Sequence, residues 1–280
     1  MATTAADRLS EGAATVGAMC GRFTAATQPS LLAERFRAEP LGVEGHQPSW
    51  NVAPASDILV IAAGDDGNRQ LRTLRWGLVP KWAKDPSGRN QMINLRADTA
   101  RSKPTFARLL AKQRCIIPVD GFYEWQDMGK GHKKQPIYVT ARDRQPLALA
   151  GLWETWRDKS GTVKAGDQPG AGDGAPADQA GDGAPPGDDR LWTCTILTTT
   201  PNKLMASVHH RMPVILPPET WEVWLDPANT DAEALGELLV PASDDLLQLW
   251  PVDAAVNSPR NNRPELMQPL EGHEARTADS

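Results

Sequence analysis

The sequence predicts an α+β fold, a single domain in which barrel-like antiparallel β-sheets carry short peripheral helices. Many short segments rich in β-branched residues follow one another along the chain, as is typical of strands. The helical patterns are short and stand between and after these strands, with no regular strand–helix alternation and no G-x-G-x-x-G motif. This order of elements favours antiparallel or barrel-like sheets over a doubly wound parallel sheet.

The first elements are predicted from local patterns. The helical spacing of its apolar residues predicts a helix over Pro29–Arg37. Strands are predicted over Ile58–Ala63 and Leu71–Trp76, because the Gly-Asp-Asp-Gly sequence of residues 64–67 is a turn signal between them. Residues 77–98 contain Pro and Gly at several positions and are predicted to be mostly loop.

The later elements complete the domain. A short helix is predicted over Pro104–Lys112, with proline in its first turn, where the missing N–H is not needed. Helices at Glu219–Leu225 and Asp231–Leu239 are predicted to close the domain. The remaining predicted strands are Arg114–Val119, Gln135–Ala141, Leu147–Leu152, Leu191–Thr199 and Met212–Leu216.

The domain is predicted to span residues 19–263 of a 280-residue chain. Residues 1–18 are small and without periodicity, so they are interpreted as a flexible leader or a mis-assigned start. Residues 159–190 are rich in Gly, Ala, Asp and Pro and interrupt two strands, so they are expected to be a disordered acidic insertion. Residues 264–280 are polar and are expected to form a loose C-terminal tail.

Composition excludes several classes of protein. No signal peptide and no apolar run long enough for a bilayer are found, so an intracellular protein is expected. The three cysteines form no C-x-x-C pair and the five histidines show no metal-ligand spacing, so neither a metal nor another cofactor is expected. Adjacent His209 and His210 would point to opposite faces of a strand. Nothing in the sequence indicates obligate assembly, and a monomer is expected.

Cys20 is the first candidate for chemistry. An aminopeptidase that removes Met19 would make Cys20 N-terminal, because Cys is small. The reference pKa is about 7.7–8.0 for an α-amine and about 8.5 for a thiol, so both nucleophiles are partly available at neutral pH. With an aldehyde the amine gives a Schiff base, and the thiol then closes a thiazolidine. The structural alternative is an ordinary buried cysteine.

Asn94 and Arg96 lie on one side of an extended segment. Arg96 could hold a phosphate with two hydrogen bonds, since guanidinium geometry matches two phosphate oxygens. The alternative interpretation is a solvated loop.

Glu124 stands between the aromatic residues Tyr123 and Trp125. If it is partly desolvated, its pKa would be raised and it could act as a general acid. Trp125 could stack on a nucleobase. The alternative is a half-buried strand on which Glu124 is exposed by simple alternation.

His209 and Arg211 form a third pair. A histidine with a near-neutral pKa can move protons, and an arginine can bind phosphate. A structural histidine is the alternative. Trp76 and Trp82 alternate with Arg75 and Lys81, which suits a groove for single-stranded nucleic acid; the alternative is that such tryptophans fill the core.

Taken together and in this order, eight segments resemble the SOS response-associated peptidase (SRAP) family, also called abasic site processing proteins. The segments span Met19 to about Pro217, with weaker similarity to about Pro259. They are MCGRF, WNVAP, RWGLVPKW, INLRADT, IPVDGFYEW, AGLWE, TCTILTT and HHRMPVIL.

The resemblance implies a covalent crosslink between N-terminal Cys20 and the ring-opened aldehyde of an abasic site in single-stranded DNA, within the DNA damage (SOS) response. A protein with this function is expected to be cytoplasmic and nucleoid-associated. Asn94 would orient the amine or the sugar, Glu124 would supply the proton that opens the deoxyribose, and His209 would assist Schiff-base proton transfers and crosslink reversal. The implied DNA-binding residues are Arg22, Asn51, Pro54, Trp76, Arg96, Trp125 and Arg211.

The sequence departs from the family pattern in three ways. Eighteen residues precede Met19, and with them attached the Cys20 nitrogen is an amide that cannot form a Schiff base. Asp98 and His210 replace the usual Glu and Asp, so neither is assigned a role. Gly166–Asp189 contains six Asp and no Lys or Arg; without these six charges the net charge of −5 becomes +1. This acidic run is expected to project from the face opposite the DNA groove.

Two alternatives remain open on the sequence alone. In the first, the chain is a thiol-dependent peptidase or autopeptidase with Cys20 as nucleophile and His209 as base. In the second, it is a non-catalytic reader of single-stranded or modified DNA. An extra residue before Cys20 would abolish a thiazolidine but could spare thiol-only chemistry.

Overall fold

The computed structural model describes residues 21–86, 91–158 and 190–279. The expected leader, Cys20 and all of the acidic run Gly166–Asp189 lie outside these residues. In chain order the described strands are β1 (Arg22–Ala25), β2 (Glu39–Pro40), β3 (Ser49–Val52), β4 (Asp57–Ala63), β5 (Arg69–Trp76), β6 (Asn94–Arg96), β7 (Arg114–Val119), β8 (Gly121–Gln126), β9 (Gln135–Ala141), β10 (Leu147–Trp156), β11 (Leu191–Thr199), β12 (Met212–Pro213) and β13 (Leu247–Pro251). The α-helices are α1 (Pro29–Phe36), α2 (Ala97–Ser102), α3 (Pro104–Lys112), α4 (Lys203–Ala206), α5 (Trp221–Leu225) and α6 (Ala232–Glu237).

Five strands form a closed barrel in the order β4, β5, β11, β10, β7 and back to β4. Four of these pairings are antiparallel, and the fifth, between β5 and β11, is parallel and joins Arg75 to Thr193 and Trp76 to Cys194. The predicted α+β class with barrel-like antiparallel sheets is therefore confirmed.

A second, antiparallel sheet has the strand order β13-β9-β8-β1-β3. In it β1 pairs with both β8 and β3, so the first described strand is held on both sides. Successive residues of the barrel strands point to opposite sides, as the pleat requires. Ile58 and Val60 of β4 pack in a cluster with Phe23 and Phe122 of the second sheet, whereas Ile61 packs in a cluster formed with the helices.

The described part of residues 77–98 is mostly loop, as predicted, but the strand β6 and the start of α2 within it were not foreseen. β6 forms because it pairs in parallel with β11, a contact that no local pattern records. The 264–280 segment was expected to be loose, yet Leu266 is buried, and the backbone N–H groups of Leu249 and Arg276 each donate to the carbonyl of the other. No helix in the described ranges has both the length and the apolarity needed to cross a bilayer.

Candidate active site

The amino end of β1 lies beside β8. Arg22 is paired with Tyr123, the residue before Glu124, and Phe23 is paired with Phe122. Gly21, the first described residue, precedes Arg22 and is itself partly exposed. Cys20 lies outside the described residues, but it is covalently joined to Gly21. The chain segment that would carry the nucleophile therefore begins next to the strand that carries Glu124.

Glu124 is buried, with only 2% of its surface exposed, although its neighbour Trp125 is partly exposed. It is held in β8, where it is paired with Ile137 of β9. The alternative in which alternation exposes Glu124 is wrong, because β8 is a central strand with β1 on one side and β9 on the other. A buried carboxyl group next to a partly exposed strand end is the arrangement that a general acid requires.

His209 lies in the loop between α4 and β12, and not on a strand as expected. Its backbone N–H donates to the carbonyl of Met205 at 2.9 Å, and its Nδ1 accepts a hydrogen bond from the backbone N–H of Arg211 at 3.3 Å. The ring of His210 lies 4.2 Å away, centroid to centroid, so the two rings do not point apart. Burial, followed by the proximity of His210, lowers the pKa of His209 below its usual value. The neutral imidazole is therefore favoured, and it is the form that accepts a proton.

A side-chain hydrogen bond ties the His209 loop to the strand of Glu124. Nε2 of Gln126, two residues after Glu124, donates to the backbone carbonyl of Ser207 at 2.7 Å, two residues before His209. The α4 helix before this loop is fixed by Asn202, whose side chain accepts from the backbone N–H of Met205 at 2.9 Å. The proton-transfer candidates thus belong to elements that are joined directly.

Asn94, Arg96 and Arg211 come together at the carboxyl end of β11. Asn94 is paired with Ile196 and Arg96 with Thr198, and Nη2 of Arg211 donates to the carbonyl of Thr198 at 2.5 Å. Burial lowers the pKa of Arg211, and the charge of nearby Arg96 lowers it further. Two cations are therefore held close to one strand end, where an anionic ligand would relieve their repulsion.

Asp98 is a member of this group that was assigned no role from the sequence. It forms an ion pair with Arg96 at 2.5 Å, and its hydrogen bond to Arg96 lowers its pKa to about 2. Both side chains are 60% exposed, so the pair is screened by water and contributes little to stability. Asp98 stands two residues after Arg96, and this spacing is the feature of the sequence that could have indicated the ion pair. The pair orients the Arg96 guanidinium and partly neutralises it.

The Arg22 side chain is bound within the protein. Nη1 donates to Oδ1 of Asn51 at 2.7 Å and to the carbonyl of Val256 at 3.0 Å, and Nη2 donates to the carbonyl of Asn257 at 3.2 Å. Burial lowers the pKa of Arg22. Asn51 is buried, and its Nδ2, which has two hydrogens to donate, lies 2.8–3.2 Å from the carbonyls of Asn261, Ser258 and Val256. Asn51 therefore acts as an anchor for the C-terminal segment, a contribution to the site that sequence reasoning missed.

The tryptophans divide into core and surface positions. Trp76 is wrong as a base-stacking candidate, because it is fully buried, packs on Phe23 at 4.9 Å between ring centroids, and donates from Nε1 to the carbonyl of Ile93. Trp82 of the same motif is 67% exposed and could contact a base. Trp125 is partly exposed and is oriented by a hydrogen bond of 2.7 Å from its Nε1 to Oδ1 of Asn257. Pro54 is exposed, after β3.

The site thus has a buried carboxyl group on β8, a histidine with a lowered pKa on a loop that is hydrogen-bonded to β8, and two arginines at the carboxyl end of β11. Side chains of these types are typical of a site for proton transfer on an anionic substrate. Among the described residues no group of three or more His, Cys, Asp or Glu side chains is arranged to hold a metal ion.

Comparison with known proteins agrees with this class of site. The family model described as SOS response associated peptidase (SRAP) matches residues 19–259. The chain belongs to the SOS response associated peptidase family.

Relatives and solved structures extend over nearly the whole chain. The abasic site processing protein YoqW of Bacillus subtilis (strain 168) is 40% identical over 251 residues, which cover 89% of this chain and 99% of YoqW. The abasic site processing protein HMCES of Gallus gallus is 30% identical over 291 residues, with 90% of this chain and 78% of HMCES covered. A crystal structure of a Bacteroides thetaiotaomicron protein has a TM-score of 0.69 at 26% identity and covers 90% of this chain and 100% of its own.

Proposed function

We propose that this protein processes abasic sites in single-stranded DNA by forming a thiazolidine crosslink through Cys20 as its N-terminal residue. Membership of the family supports this function, as do relatives that are named abasic site processing proteins. The observation that carries the proposal is the buried Glu124, held beside the strand that begins two residues after Cys20. A carboxyl group in that position can deliver a proton to a sugar that reaches the start of β1.

The chemistry balances with the residues at hand. The deoxyribose of an abasic site is a closed hemiacetal. Glu124 donates a proton to the ring oxygen while the C1′ hydroxyl loses its proton to water, so the ring opens to the C1′ aldehyde. The Cys20 α-amine adds to C1′, and water leaves to give a Schiff base. The Cys20 sulfur then adds to C1′ while the nitrogen takes up the proton. One aldehyde and one aminothiol give one thiazolidine and one water, with no oxidant, reductant or metal.

His209 and Asn94 assist these steps. The lowered pKa of His209 keeps its imidazole neutral near pH 7, so it can accept the proton that the Cys20 ammonium or the carbinolamine loses. Asn94 lies on β6, which pairs with β11, and its amide orients the amine or a sugar hydroxyl. Crosslink reversal uses the same proton transfers in the opposite direction.

Cationic and aromatic side chains around the crosslinking site hold the DNA. Arg96 and Arg211 bind phosphates next to the abasic nucleotide, and Arg22 contributes the donors that it does not use within the protein. Trp125 and Trp82 stack on flanking bases, with Trp82 in place of the buried Trp76. An abasic nucleotide enters such a site without the cost of unpairing a base.

Intact-protein mass spectrometry tests this function directly. The mature protein is expected to begin at Cys20, and mixing it with an oligonucleotide that contains one abasic site should add the oligonucleotide mass minus one water. Cys20→Ala should form no adduct, and Cys115→Ala, which removes a buried thiol, should still form it. Protein that retains residues 1–19 in its native cell, or an adduct that survives Cys20→Ala, would contradict the proposal.

The peptidase alternative is distinguished by one added residue. Ala placed before Cys20 converts the amine into an amide but leaves the thiol intact. Loss of the adduct together with retained cleavage of a peptide ester would favour the thiol peptidase. Loss of the adduct with no hydrolysis supports aminothiol chemistry, and adduct formation of any kind excludes a non-catalytic DNA reader.

A further inference from the structure

A short 3₁₀ helix, Ala254–Asn257, follows β13 and packs on the sheet that contains β1 and β8. Val256 of this helix is fully buried among aromatic side chains of that sheet. Oδ1 of Asp253 accepts a hydrogen bond of 2.7 Å from the backbone N–H of Ala255, which caps the first turn. Nδ2 of Asn261 donates to the carbonyl of Ala255 at 2.7 Å from the other side. The backbone of this helix is therefore held in place on the sheet.

Asn257, the last residue of this helix, is bonded to both strands of the candidate site. Its Oδ1 accepts a hydrogen bond of 2.7 Å from Nε1 of Trp125, the residue after Glu124 on β8. Its backbone carbonyl accepts a hydrogen bond of 3.2 Å from Nη2 of Arg22, the first residue of β1. One exposed residue thus links the indole of Trp125 to the side chain of Arg22.

The bond to Asn257 engages the one hydrogen-bond donor that an indole has. What Trp125 can then offer a nucleotide is the face of its ring, and stacking requires that face to lie parallel to the base. Without this bond, the partly exposed indole would be free to populate other side-chain rotamers. Asn257 therefore selects one orientation of the Trp125 ring.

We propose that Asn257 is a positioning residue of the crosslinking reaction, one that orients Trp125 for stacking on the base next to the abasic site and fixes the ring relative to Arg22. This inference rests on the proposed function. Asn257 acts through Trp125 and takes no part in the chemistry. The abasic sugar is joined through one phosphate to the nucleotide whose base stacks, so a change in the stacking angle displaces C1′. A displacement of about 1 Å can slow a reaction about a hundredfold.

Asn257→Leu tests the inference, because leucine has a similar volume and no acceptor, while the backbone carbonyl that binds Arg22 is retained. With a saturating oligonucleotide that contains one abasic site, the single-turnover rate of adduct formation should fall about tenfold. Trp125→Phe keeps an aromatic face but has no N–H, so adding Asn257→Leu to it should change the rate by less than about twofold. Asn257→Asp keeps an acceptor oxygen and should restore the rate to within about twofold of wild type.

A merely structural role is excluded by a matched control. Asn68 is also exposed, and its side chain donates to Asp66 within the turn between β4 and β5. Asn68→Leu should leave the rate unchanged, and neither leucine variant should shift the urea midpoint by more than a substitution on the surface usually does. Equal slowing in the two leucine variants would overturn the inference.

Hydrogen exchange of the Trp125 indole measures the contact without DNA. Its N–H signal is the one that disappears from the ¹H–¹⁵N spectrum in Trp125→Phe, and it should exchange several-fold faster in Asn257→Leu. If the wild-type protein forms the adduct, an unchanged rate in Asn257→Leu, or an equal loss of rate when this change is made in Trp125→Phe, would overturn the inference and leave the proposed function intact. A wild-type protein that forms no adduct would overturn the proposed function, and the inference with it.

Discussion

Gln126 donates a hydrogen bond of 2.7 Å to the backbone carbonyl of Ser207 and so joins the strand of Glu124 to the loop of His209. Such a bond contributes about 0.5–1.5 kcal/mol, too little to decide whether the domain folds. Its effect is geometric, because a proton donor and a proton acceptor must be held to within a fraction of an ångström to act on one sugar.

Gln126→Ala is therefore expected to slow adduct formation about tenfold while the affinity for undamaged single-stranded DNA stays within about twofold. Single-turnover trapping on abasic oligonucleotide and fluorescence anisotropy measure the two quantities. Gln248→Ala is the control, since Gln248 also donates to a backbone carbonyl, that of Ala141, but on β13. Equal slowing in the two variants would show that the loss is general and not specific to the His209 loop.

The pH dependence of adduct formation should report His209. Because its pKa lies below the usual value of about 6.5, its neutral form persists in mildly acidic solution and is lost only as the pH falls through that lowered pKa. The rate should therefore fall on the acidic side, and His209→Gln should remove this acidic limb. His210→Gln should shift the limb upwards, because it removes a nearby charge that lowers the pKa of His209. An unchanged acidic limb in His209→Gln would assign it to another group.

Asp98→Asn should strengthen binding to undamaged single-stranded DNA. The change removes the carboxylate that pairs with Arg96 at 2.5 Å, so the guanidinium is left to a phosphate. We expect a severalfold lower Kd at low salt, and Arg96→Gln should reduce the slope of log K against log salt by about 0.7, the value for one phosphate of a single strand. Weaker binding by Asp98→Asn would show that orientation of Arg96 by Asp98 matters more than its neutralisation.

The two tryptophans of the RWGLVPKW motif should have different roles, Trp82 in DNA binding and Trp76 in stability. Trp82→Ala removes an exposed ring and should cost about 1–3 kcal/mol of single-strand binding with little change in the free energy of unfolding. Trp76→Ala empties a fully buried position beside Phe23 and should lower the free energy of unfolding by about 3–5 kcal/mol. Urea unfolding and anisotropy on both variants provide the test. A Trp82→Ala protein with wild-type DNA affinity would remove this residue from the proposed interface.

Leu266→Ala should destabilise the protein by about 2–5 kcal/mol, as expected for a buried leucine. The neighbouring exposed Glu265→Ala is the matched control and should change stability by less than about 0.5 kcal/mol. Chemical denaturation gives both values. If Leu266→Ala left the free energy of unfolding unchanged, the residues after Arg263 would be loose, as the sequence predicted.

Local patterns predicted those elements whose stability depends on local chemistry. The bounds of α3, β7, β9 and β11 were predicted to the residue, because Pro at a helix start and β-branched runs between turn residues act over a few positions. The strand β6 was missed, because its three residues form a strand only by pairing with β11, about a hundred residues later. A parallel pairing between residues so far apart produces no periodic pattern in the sequence from which it could be predicted.

The same limit applies to the site. The burial of Glu124 was left open from the sequence, since it depends on β1 and β9 lying on both sides of β8. Trp76 and Trp82 could not be told apart, because both stand beside a cation and only the barrel closure buries one of them. Asn51 was expected to line the site, but its anchoring of a segment two hundred residues away was beyond any motif.

The hydrogen bonds from Arg22 to the carbonyls of Val256 and Asn257 span 234 and 235 residues of sequence. During synthesis the first strand therefore leaves the ribosome long before its guanidinium has those acceptors. The side chain of Arg22 is thus fixed late in folding, only when the segment around Val256 and Asn257 has been made and has folded back against β1.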